Sequence, residues 1–197
     1  MNAAICATGI LQWVRILIYK IKTMSTIFSS AAFELLLSVL IGIMTVFLTK
    51  MVVMNFYVKK TGEIDPYKNL SFLIFLSGTI FSVSYITFGI MEPLTATFKL
   101  IQTSNYSLGT LILKYAQYIG MFLFLGYVFS AAIVFIAYKM FAFLTTQLDE
   151  YTQIKENNVG VAILISVLTI VTAMFTKNPF IIFIESFIPY PDVPNIM

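Results

Sequence analysis

Long apolar runs alternate with short polar gaps along this chain. Leu35 to Val58, Leu70 to Met91, Tyr115 to Leu144 and Val159 to Thr176 carry few charges. Each is near or above the roughly 20 residues with which a helix crosses about 30 Å of hydrocarbon. The pattern predicts an all-α membrane protein with four transmembrane helices. The largest polar gap, Thr145 to Asn158, is too small to bury a core of its own.

Three further stretches are apolar but too short to span. Met1 to Lys22 is apolar up to Trp13 and then mixes Arg15, Lys20 and Lys22 with Ile and Leu. A secretory signal carries its positive charge before the apolar region; here it follows. The stretch fits a helix lying in the interface, with Trp13 and Tyr19 at headgroup depth; a poorly ordered leader or a fifth short span is the alternative. Leu94 to Gln102 and Phe180 to Ile188 read the same way, the second because Pro179 and Pro189 bracket it; a re-entrant segment or a continuation of the fourth span is the alternative for the second.

The polar positions also repeat. A shift of 89 residues lays Lys50–Met51 on Lys139–Met140 and Asn69 on Asn158, with Phe33, Leu36, Val39, Ile74, Ser77 and Thr87 also matching identical residues. Lysine and asparagine are rare enough here for their coincidence to matter, and they stand 19 residues apart in both halves. This predicts two helical hairpins, each a span, a charged turn, a second span and a proline-marked exit (Glu92–Pro93 and Asn178–Pro179). A unit with two spans re-enters the membrane in the same direction, so the repeats are expected to be parallel. The organisation is then residues 1–30 as an N-terminal interfacial segment, 31–101 as the first two-helix repeat, 102–189 as the second and 190–197 as a tail.

Composition narrows the chemistry. Of 197 residues, 11% are charged and 59% hydrophobic, against about 25% charged in soluble domains. Histidine is absent and Cys6 is the only cysteine, which removes internal disulfides, His- or Cys-based metal sites and His-activated nucleophiles. No acid cluster lies within a span. The expectation is a chain with no catalytic residues, no metal, no cofactor and no enzymatic activity. The net charge of +3 is spread over several flanks, which argues against nucleic acid and for membrane lipids as partners.

Five residues remain as candidates for function or anchoring. Asn69 and Asn158 stand where a polar turn becomes a span. They suit helix N-caps, or else groups facing a substrate near the pseudo-axis. Lys50 and Lys139 lie inside apolar context, about 12 and 8 Å from the ends of their spans at 1.5 Å per residue. They either snorkel to the interface or face a polar interior. Glu185 is the acid within the last apolar stretch. Small and hydroxyl residues form stripes at helical spacing: Ser38, Gly42, Thr45 and Thr49; Ser71, Gly78, Ser82 and Gly89; Gly126 and Ser130; Ala162, Ser166, Thr169, Ala173 and Thr176. Such stripes let helices approach closely, and they can also line a water path.

The stretch Asp149 to Ile163 leads from an acidic turn (Asp149–Glu150) through Asn157–Asn158 into Val159–Gly160–Val161–Ala162–Ile163. It resembles the loop-and-helix signature of the YjfL-like bacterial inner-membrane proteins, most clearly over residues 139–176. In the first half only the skeleton Asp65, Asn69, Leu70 and Ser71 matches. The resemblance implies an inner-membrane location and a duplicated hairpin, and no activity. The leading functional expectation is a scaffold or assembly subunit that associates with itself or with other membrane proteins. The rival is a channel or transporter subunit with Lys50 and the hydroxyl stripes facing water. Counts of flanking Lys and Arg favour cytoplasmic termini when the embedded Lys50 and Lys139 are left out.

Overall fold

The computed structural model describes residues 2–63, 65–103, 108–145 and 150–188. The tail and Pro189, the turn residue Asp149, and the expected headgroup contacts of Trp13, Arg15, Tyr19, Lys20 and Lys22 lie outside the described positions and side chains. All described regular structure is helical: α1 (Asn2–Thr61), a short 3-10 turn (Pro66–Lys68), α2 (Leu70–Phe88), α3 (Met91–Thr103), α4 (Leu108–Leu144), α5 (Glu150–Lys155) and α6 (Val159–Glu185). Among the described residues, four stretches are long and apolar enough to cross a membrane: Glu34–Thr61, Leu70–Ile101, Gly109–Phe143 and Val159–Glu185. The chain divides into two compact units, Met1–Leu40 and Ile41–Met197. The first is a stretch of α1; the second is the helical bundle.

Within the bundle, α2 packs most extensively on α6, and α4 packs on both. Local chemistry sets the ends. Gly62 closes α1 in the left-handed region (φ 66°), its N–H donating to the Val58 carbonyl at 2.9 Å; glycine adopts this conformation without a Cβ clash. α5 ends in a Schellman motif: Asn157 takes φ 59°, its N–H donates to Ile154 O, and the Asn158 N–H donates to Gln153 O. Tyr57, Phe72, Phe75, Phe141, Ile154 and Ile165 form a buried cluster beside these turns.

Two end signals act differently from expectation. The first hairpin breaks at Gly89–Ile90, where i→i−3 bonds to Ile86 and Thr87 tighten the chain, and not at Glu92–Pro93. Pro93 sits in the first turn of α3, where its missing N–H has no helical partner to lose. Pro179 does not end the fourth span either: α6 continues through it to Glu185, so Phe180–Ile188 is not a separate interfacial helix. The reason is packing. Phe180 and Ile184 are buried, and the Phe180 ring lies 4.9 Å from that of Phe129 on α4. Close packing of two large side chains, the attraction that remains between helices in lipid, offsets the one backbone bond that Pro179 cannot donate. α3 covers the stretch Leu94–Gln102, burying Leu94, Thr97 and Ile101 and setting Phe98 against Tyr115 of α4 at 4.9 Å.

Contacts fix the relative directions. Asn69 and Ser71 touch Ile154 and Asn157 at one end, while Gly89 meets Ile181 at the other. α2 and α6 therefore run parallel. Single cysteines at Glu63 and Gln153 are expected to label from one side of the membrane and one at Lys99 from the other. Labelling of Glu63 and Lys99 from the same side would remove the four-span arrangement.

Candidate functional site

Both asparagines cap helices, at equivalent atoms. The Asn69 side chain accepts from Phe72 N at 3.1 Å, and Asn158 accepts from Val161 N at 3.3 Å. Each satisfies a first-turn donor that otherwise lacks a partner. Their other halves differ. Asn69 is buried and its Nδ2 donates across to Ile154 O (2.7 Å) and Lys155 O (3.2 Å), joining the two turns. Asn158 is exposed and donates to Gln153 Oε1.

Residues outside the five candidates complete this junction. Asn157 Oδ1 accepts from Ser71 N at 3.0 Å and from Ser71 Oγ at 3.2 Å. Lys155 Nζ donates to Thr61 O at 2.7 Å, placing a cation on the last carbonyls of α1, where the helix dipole favours it. The doubled Asn157–Asn158 was the available signal, since asparagine tolerates the left-handed region that ends a helix.

The lysine candidates point outward. Lys50 is exposed, with Nζ 5.3 Å from the centre of the Tyr67 ring beside the first turn. Lys139 is exposed, with Nζ 5.5 Å from the Phe135 ring. They do not meet each other or the asparagines in any polar contact among the described residues. Glu185 is half-buried at the end of α6, remote from the turns, and its carbonyl accepts from Ile188 N.

The small-residue stripes of α2 and α6 face one another. At Gly78 a Cβ would fall 2.5 Å from Ser166 Cβ, so only glycine allows the approach. The hydroxyls along this seam bond to carbonyls: Thr79 to Phe75, Ser82 to Gly78, Thr87 to Val83, Thr169 to Ile165, and Ser166 to both Ala162 and Ile74.

The contact between α1 and α4 is looser. Tyr127 OH donates to Thr45 Oγ1 at 3.0 Å, but one turn further on the buried hydroxyls of Thr49 and Ser130 have no partner among the described residues. A half-open cavity of about 780 Å³ begins there. Its walls include Val52, Phe56, Phe75, Phe124 and Val134, and Lys60, Lys139 and Glu150 are the charged residues lining it.

Residues 23–178 match the family model described as Domain of Unknown Function (DUF350), in accord with the resemblance to the YjfL-like proteins. No curated protein and no solved structure matches the chain. With four helices able to cross a membrane and the match covering most of its length, this chain belongs to the DUF350 family.

Proposed function

We propose that the protein is a non-enzymatic scaffold or assembly subunit of the bacterial inner membrane, built from two parallel-related hairpin repeats with cytoplasmic termini. The observation that carries this reading is the α2–α6 seam. Its glycine and serine meet at backbone distance, and its hydroxyls are already bonded to carbonyls, as suits packing and leaves little for a line of water. The rival transport reading asks Lys50 to face a polar interior, whereas its amine lies over Tyr67 on an exposed face. The repeat is supported by the two caps, which make the same bond 89 residues apart, and by the parallel course of α2 and α6.

The exposed faces of the bundle are rich in large apolar residues, such as Ile43, Phe47, Phe143 and Phe175, available to lipid or to further helices. Reconstituted into liposomes, the protein is expected to give no ion flux above empty vesicles, and its mass in mild detergent is expected to exceed that of one chain. A flux that Lys50→Leu abolishes would overturn this reading in favour of a channel.

A further inference from the structure

The cavity between α1 and α4 belongs to neither the seam nor the turn junction. At about 780 Å³ it lies within the 300–1,000 Å³ or so typical of ligand sites, and its lining comes mainly from membrane-spanning segments. Aromatic and branched apolar side chains make up most of its wall. Its cations are near the turn ends of their helices: Lys60 is one residue from the end of α1 and Lys139 five from the end of α4, about 1.5 and 8 Å in helical rise. Lys60 Nζ rests 5.5 Å from the centre of the Tyr151 ring and Lys139 Nζ over Phe135. Neither forms an ion pair among the described residues.

We propose that this cavity holds one anionic phospholipid, with an acyl chain along the aromatic wall and the phosphate at Lys60 and Lys139. The charge pattern selects this occupant. Two cations against the single acid Glu150, lining an apolar slot near the turn ends of their helices, favour a headgroup of net negative charge. A zwitterionic headgroup brings a quaternary ammonium towards the same lysines and loses most of that gain. The unpartnered hydroxyls of Thr49 and Ser130 mark a contact that α1 and α4 do not close with their own hydrogen bonds. Unlike the scaffold reading, this proposal does not depend on how many copies assemble.

Native mass spectrometry of the full chain, loaded with equimolar phosphatidylglycerol and phosphatidylcholine, tests it. The expected result is one retained lipid per chain, with phosphatidylglycerol preferred about fivefold or more. K60Q/K139Q, two changes at exposed side chains, should bring that preference close to unity. Ala131→Phe, which fills the cavity from its α4 wall, should lower retention of both lipids. Equal retention of the two lipids by the native chain, or an unchanged preference in K60Q/K139Q, overturns the proposal. So does a dimer that Ala131→Phe dissociates while lipid retention stays the same, which would assign the cavity to a second copy.

Discussion

Asn69→Ala is expected to destabilise the protein by about 2–4 kcal/mol, against about 0.5–1 kcal/mol for Asn158→Ala. Both lose an N-cap, a loss of roughly 0.5–2 kcal/mol. Only Asn69 is buried, and only its removal takes away the bonds across the turns, one to Ile154 O, which keeps the Asn157 N–H, and one to Lys155 O; each such bond contributes about 0.5–1.5 kcal/mol. Aspartate separates the two roles. Asn158→Asp keeps the acceptor for Val161 N and adds negative charge at a helix N-terminus, which is favourable, so stability should stay close to native. Asn69→Asp keeps the acceptor for Phe72 N but turns an oxygen towards carbonyl oxygens now 2.7 and 3.2 Å from the amide nitrogen. Its loss should equal or exceed that of alanine. Denaturant unfolding in mixed micelles measures all four variants. Equal losses for the two alanine variants would show that the link across the turns contributes nothing.

The difference between these two asparagines also marks what the sequence could and could not convey. That each opens a span was legible, because a capping residue directly before an apolar run is a local signal and the run lengths are set by membrane thickness. That Asn69 alone bridges to α5 depends on Ile154 and Lys155, 85 and 86 residues away, and no periodicity encodes such a contact. The misplaced ends have the same origin. Proline was read as a stop at residue 179, yet its effect on one backbone bond is outweighed by Phe180 meeting Phe129, a tertiary contact. The stripes were legible as close-packing faces, but their pairing was not: the α2 and α6 stripes meet, whereas a Cβ at Gly42 on α1 would meet no other part of the described structure within 4 Å. The cavity has no counterpart in the sequence pattern, because Thr49, Ser130, Lys60 and Lys139 come from distant parts of the chain and only their loose helix–helix contact gathers them.

The α2–α6 seam carries the sharpest steric expectation. A Cβ at residue 78 would stand 2.5 Å from Ser166 Cβ, 2.7 Å from its Oγ and 3.0 Å from its Cα. Gly78→Ala therefore requires two packed helices to separate, and such overpacking typically costs about 1–3 kcal/mol. Separation would also stretch the 3.1 Å bond from Ser166 Oγ to Ile74 O. Gly78→Leu should prevent the parallel pairing and leave little folded protein. Gly42→Ala serves as the comparison: with open space around it, it should be neutral or stabilising by up to about 1 kcal/mol, since glycine is the poorer helix former. Ser166→Gly removes the two nearest clashing atoms but leaves the Cα at 3.0 Å, so rescue of Gly78→Ala should be partial. The double variant should be more stable than the sum of its parts by about 1 kcal/mol, within the range found for residues in direct contact. Additive losses would mean that the helices part at Gly78 whatever residue 166 is, and the seam would then lose its place as the packing interface on which the scaffold reading rests.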